Sequence, residues 1–164
     1  PETAPAGDTL ARYGSNMRPM RGSTADRRPV QQPLFHYPFA TWRKSLMDLV
    51  ANAEIDPHLG HALEFINPGN GGPVMPTISA HVRMIPAGFD TAPRRSTDGA
   101  VFVVIEGEGT ALVNGETHTL HERDVISIPS WNQVQFAASK DLILFAFSDK
   151  ASQEKLNLYK ELNS

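Results

Sequence analysis

The sequence contains six histidines, fifteen Lys and Arg residues, and no cysteine, which sets the chemistry open to it. Disulfides, thiolate zinc sites and cysteine nucleophiles are excluded. His58 and His61 stand three apart in Asp56-Pro-His-Leu-Gly-His61. Paired histidines can hold a metal ion, but the sequence places no third ligand beside them, and we read a polar surface loop. His118 and His121 are also three apart, which sends them to opposite faces of a strand; both read as surface or turn residues. His81 and Arg83 are two apart, so in a strand they share a face. On an inner face they would join Arg94 and Ser96 in a cationic pocket suited to a carboxylate. Ile78, Ala80, Val82 and Met84 form the competing apolar face, however, and an apolar face is normally the core face. His81 and Arg83 are therefore expected to point to solvent. Arg94 and Arg95 are expected to pair with Asp98 or Glu106. Trp131 is expected to pack at the pocket rim, and with His81 and Arg83 it makes up the candidate pocket-lining set.

The elements that must position these groups are short. Residues 1–33 carry five of the thirteen prolines together with Arg12, Arg18, Arg21, Arg27 and Arg28, without periodicity; this reads as an extended arm or linker. Residues 34–61 form a docking segment and a helix. Leu34, Phe35, Tyr37 and Phe39 form an apolar cluster at the end of the arm. Thr41 then caps a helix to about Ala53, with Trp42, Leu46, Leu49, Val50 and Ala53 on one stripe. Residues 62–149 hold short β-rich runs at 63–67, 77–85, 101–106, 110–113, 117–120, 125–129, 134–137 and 142–147. Asn114-Gly115 between two of them is a strong hairpin signal, because both residues tolerate positive φ. Such strands without intervening helices predict an all-β jelly-roll barrel. Val101, Val103 and Ile105 are expected inside it by alternation. Residues 150–164 read as a C-terminal helix, Ser152 to Leu162, with Leu156, Tyr159 and Leu162 on one face.

Two segments carry a further pattern. The first is Gly88-Phe-Asp-Thr-Ala-Pro-Arg94-Arg-Ser96-Thr-Asp-Gly-Ala100-Val-Phe-Val-Val-Ile-Glu-Gly107; the second is Arg123-Asp-Val-Ile-Ser-Ile-Pro129-Ser-Trp131-Asn-Gln-Val134. They resemble the two motifs of the cupin superfamily: Gly, five residues, His-x-His, three residues, Glu, six residues, Gly; then Gly, five residues, Pro-x-Gly, two residues, His. The resemblance implies a double-stranded β-helix. It also places the family's four metal-ligand slots on Arg94, Ser96, Ala100 and Val134. Arginine is a permanent cation and cannot ligate a divalent metal. Serine is a poor neutral ligand, and alanine and valine carry no donor atom. On this reading the metal site is degenerate, with no metal ligand and no catalytic residue in the chain.

The likeness narrows further. Leu34-Phe-His-Tyr-Pro38, Gly71-Gly-Pro-Val-Met-Pro-Thr77, Pro129-Ser-Trp131, Phe147-Ser-Asp149 and Gln153-Glu-Lys-Leu156 are similar to the C-terminal half of gentisate 1,2-dioxygenase, a ring-cleaving bicupin. That resemblance implies Fe(II) in an N-terminal cupin, which would be the partner of this domain. It also implies a homo-oligomer, and a structural role for this half. The alternative is a stand-alone, non-catalytic cupin that binds a small carboxylate through Arg94, with Arg83 as a second cation. A pure oligomerisation module is a third reading. A net charge of −3 gives no basic excess for nucleic acid or anionic lipid. No apolar run is long enough to span a membrane. The first residue is Pro, with no apolar leader core, so the chain is expected to be part of something longer, in a reducing cytoplasm.

Overall fold

The computed structural model describes residues 36–163; the arm, Leu34 and Phe35 lie outside the described residues. Among the described residues ten strands form two five-stranded antiparallel sheets. In chain order the strands are β1 (His61–Glu64), β2 (Ser79–Ile85), β3 (Arg94–Ser96), β4 (Ala100–Glu106), β5 (Gly109–Val113), β6 (Glu116–Leu120), β7 (Val125–Ile128), β8 (Val134–Ala138), β9 (Leu142–Ser148) and β10 (Glu161–Asn163). One sheet runs β1-β2-β9-β4-β7 and the other β10-β3-β8-β5-β6. Helix α1 (Phe39–Asn52) precedes the barrel, and the short α2 (Lys150–Lys155) follows β9. This is the jelly roll the strand pattern predicts.

The barrel interior is filled by Ile85, Phe102, Val104, Leu120, Ile128, Phe136, Leu142 and Leu144, with Ala111, Ala138 and Ala146 between them. A second apolar layer lies on the outside of the first sheet. There Leu46 of α1, fully buried, meets Val82, Met84 and Ile143, flanked by Trp42, Val50 and Ile105. Arg43 ties the helix to the end of β4 by a bidentate pair with Glu106, at 2.7 and 2.8 Å.

This second layer explains two corrections. Alternation assigns one apolar face per strand, but the helix gives the sheet two. In β4 the inward residues are Phe102 and Val104, not Val101, Val103 and Ile105; Ile105 packs in the helix layer. In β2 the apolar Val82 and Met84 face the helix, which leaves the opposite face of that strand for the barrel.

Other boundaries differ for local reasons. Helix α1 starts at Phe39 behind Pro38, so Thr41 lies inside its first turn instead of capping it. The first strand covers 61–64, not 63–67, because the chain turns at 67–72 with Asn67 and Asn70 side chains accepting from Gly69 and Gly72 amides. The C-terminal helix ends at Lys155. Asn157 takes φ 56, and the chain returns as β10 against β3, pairing Glu161 with Ser96 and Asn163 with Arg94. Strands β3 and β10, of three residues each, have no periodic signal of their own.

Asn114 (φ 49) and Gly115 (φ 89) form the expected hairpin turn between β5 and β6. Both positions where the second cupin motif has glycine also take positive φ, though they hold Arg123 (φ 74) and Trp131 (φ 64). The backbone shape is kept there without the residue that adopts it most readily.

Candidate functional site

Arg94, Ser96, Ala100 and Val134 all line one cavity of about 300 Å³ at the barrel mouth. Strand pairing brings them together: Arg94 of β3 is paired with Val134 of β8, while Ala100 opens β4 beside Ser148 of β9. Ser79, His81 and Arg83 line the same cavity. His81 and Arg83 thus face the barrel, not solvent, and Arg83 is only 4% exposed. The physical reason is the cover of helix α1 over Val82 and Met84 on the other face of the strand.

Arg83 and His81 act as a unit. Arg83 Nη2 donates to His81 Nε2 at 2.7 Å, so the imidazole accepts there and is neutral. Burial, and then the charges of Arg83, Arg94 and Lys150, hold His81 well below its ordinary pKa. The Arg83 guanidinium lies over Phe102 at 5.0 Å and is 6.0 Å from the ring centre of Phe136. Burial lowers its pKa to about 9, with Arg94 contributing, so it remains a cation at neutral pH.

Arg94 behaves differently. Its Nη2 donates to Tyr159 Oη at 2.7 Å and to Glu161 Oε2 at 2.8 Å, and Tyr159 also donates to Glu161 at 2.7 Å. The expected partners, Asp98 and Glu106, do not pair with it: Glu106 belongs to Arg43. Burial opposes the Arg94 charge, yet the hydrogen bond to Glu161 keeps its pKa raised. Burial and the bond to Glu161 likewise raise the Tyr159 phenol. Neither Tyr159 nor Glu161 stands out in the sequence. Their spacing of two is the signal, readable only once residues 159–161 are taken as extended instead of helical.

The Glu161 carboxyl is held below the usual carboxylate range, first by the Tyr159 hydrogen bond and then by Arg94. Its folded pKa thus lies below the unfolded one. The stabilisation is complete above the ordinary value and is lost as pH falls through the folded value. We expect the amides of residues 161–163 to keep their hydrogen-exchange protection at neutral pH. They should lose it only on acidification below the ordinary carboxylate range, as the lowered Glu161 pKa is passed, and before the barrel unfolds. Unchanged protection there would contradict the assignment.

The remaining candidates lie elsewhere. Trp131 is 43% exposed, and Arg95 sits 6.0 Å from its ring centre. Trp131 is not among the residues that line the cavity. His61 is buried, with Nδ1 unpartnered, and pairs with Met84 across β1 and β2, so it is not a surface residue. His58 places Nδ1 3.2 Å from the Pro93 carbonyl. His121 is exposed, 3.6 Å from Asp124. Among the described residues no three His, Asp or Glu side chains are grouped to hold a metal ion. The donor set at the four slots does not fit one either: a guanidinium engaged by a carboxylate, a lone hydroxyl, and two hydrocarbon side chains. Among the described residues, no helix is long and apolar enough to cross a membrane.

A family model described as a cupin domain matches residues 80–145. The chain is 38% identical over 159 residues to gentisate 1,2-dioxygenase 1 of Aquipseudomonas alcaligenes, covering 97% of this chain and 45% of that one. It is 30% identical to 5-aminosalicylate 1,2-dioxygenase of a Comamonas species, covering 81% and 36%. Among solved structures, salicylate 1,2-dioxygenase of Pseudoaminobacter salicylatoxidans with gentisate superposes with a TM-score of 0.74 at 26% identity, covering 96% of this chain and 44% of that one. The chain spans about half the length, or less, of these relatives.

Proposed function

The chain belongs to the cupins, in the group of the gentisate 1,2-dioxygenases, and from that premise we propose that it forms the C-terminal, metal-free half of an Fe(II)-dependent ring-cleaving bicupin, with a structural part to play. The observation that carries this reading is the convergence of Arg94, Ser96, Ala100 and Val134 in one cavity with no metal ligand among them. The barrel is kept while the donor set that would run the reaction is absent.

On this reading an N-terminal cupin holds the iron, and the whole enzyme opens an aromatic ring such as that of gentisate with O2, both oxygen atoms entering the product, maleylpyruvate. This half contributes buried surface. The outer face of the first sheet supports that role. Phe147 and Val125 are 41% and 64% exposed there, beside Val101, Val103 and Phe145 on paired strands. Exposed apolar surface of this kind marks an interaction face. The N-terminal half, a second copy of the enzyme, or both would cover it, in a cytoplasmic homo-oligomer.

The test is gentisate-dependent oxygen uptake by the 164-residue chain, alone and joined to the N-terminal half of the A. alcaligenes relative. We expect no uptake alone and uptake when joined. Uptake by the chain alone, supplied with Fe(II), would overturn the proposal.

A further inference from the structure

The cavity holds one buried cation without a salt-bridge partner among the described residues; Asp98 and Asp56 act on it only from a longer distance. Arg94 is occupied by Glu161, and Lys150 lies 3.7 Å from Glu154. Arg83 is more buried than either, yet among the described residues no carboxylate comes within salt-bridge distance of it, and its Nε has no hydrogen-bond partner. Ser79, four residues earlier on the same face of β2, is 3% exposed with its hydroxyl also unpartnered. A buried charge without a close counter-ion is costly to the fold, and buried donors are normally satisfied. Two orphaned donors on one face of one strand thus line the cavity together with one orphaned acceptor, Asp98 Oδ1, and the donors are suited to an anion.

We propose that the barrel mouth binds a small monocarboxylate, which the Arg83 guanidinium and the Ser79 hydroxyl hold beside the ring of Phe102. The charge of the ligand is limited to one, because Asp98 and Glu64 also line the cavity and repel a dianion. A planar carboxylate suits a planar guanidinium, which presents its N–H donors in a fixed fork. His81 takes one of those donors and so fixes the orientation of the rest. The size of the cavity is at the small end of ligand pockets. The site is independent of ring cleavage: it requires no metal and no second cupin.

The experiment titrates acetate, and separately chloride, into the full chain and follows the Arg83 Nε–H resonance together with binding heat. Acetate is expected to move that resonance saturably. Arg83→Gln should weaken acetate binding at least about tenfold, as expected for loss of a charge-assisted hydrogen bond, and Ser79→Ala should weaken it to a smaller extent. Arg95→Gln should leave it within about twofold, because Arg95 lies beside Trp131 and does not line the cavity. No shift of the Arg83 resonance in the unaltered chain would overturn the proposal even if the Arg83 variant fails to fold. Equal binding of chloride, or loss of binding on changing Arg95 alone, would overturn it as well.

Discussion

Gly107→Ala is expected to cost this fold roughly 3–5 kcal/mol, the sum of backbone strain and an unavoidable clash. Gly107 has φ +90, and a Cβ added there would run into the Asp141 carbonyl oxygen and lie 2.8 Å from its carbon. Both are main-chain atoms and cannot swing away. Asp141 is itself fixed, its Oδ1 accepting from the Ala87 amide at 2.9 Å. The glycine at the end of the first cupin motif is thus the point where β4 turns into β5 against the start of β9. Gly88, at the other end of that motif, has φ +79, but an added Cβ would meet nothing within 4 Å. Gly88→Ala should therefore show the strain alone, about 1–3 kcal/mol. Urea denaturation of the two variants separates the contributions. A Gly107 variant no less stable than the Gly88 variant would mean that the backbones can move apart.

Phe136→Ala should be as damaging, about 3–5 kcal/mol. The ring is 1% exposed, lies 5.1 Å from Phe102, and forms part of the floor beneath Arg83. Removing it opens a void in the centre of the barrel beside a buried cation. The backbone at this position is also tied to the neighbouring loop: the Phe136 amide donates to Thr91 Oγ1 at 2.9 Å, and the Thr91 amide donates to the Phe136 carbonyl at 2.8 Å. Those bonds survive the truncation, so the loss should reflect packing. Phe136→Leu keeps most of the volume and should cost clearly less in the same urea experiment, with an unchanged m-value. Equal losses for the two variants would place the effect in the backbone instead.

The barrel is legible in the sequence because its signals are local. Asn114-Gly115, the glycines at 88 and 107 and the short β-rich runs each mark a turn or a strand without reference to the rest of the chain. The site is legible only in part. The motif spacing places Arg94, Ser96, Ala100 and Val134, and these positions do share a cavity. Alternation points His81 and Arg83 the wrong way, because their orientation depends on a distant element. Helix α1 covers Val82 and Met84 and so frees the opposite, polar face for the barrel. A polar residue at every second position, Ser79, His81 and Arg83, is the available signal. The partner of Arg94 depends on the chain reversing at Asn157, which no periodicity announces. A strand of three residues, such as β10, gives no alternation to read.

The central claim is that this cupin has kept its barrel and lost its metal. The direct measurement is iron per chain in the 164-residue polypeptide, purified without chelator, supplied with Fe(II) and freed of unbound metal. The account predicts no iron above the buffer level, because the slots at Arg94, Ser96, Ala100 and Val134 offer no ligand set. One iron per chain, retained through that separation, would contradict it and would direct attention to His61 and His81 as ligands.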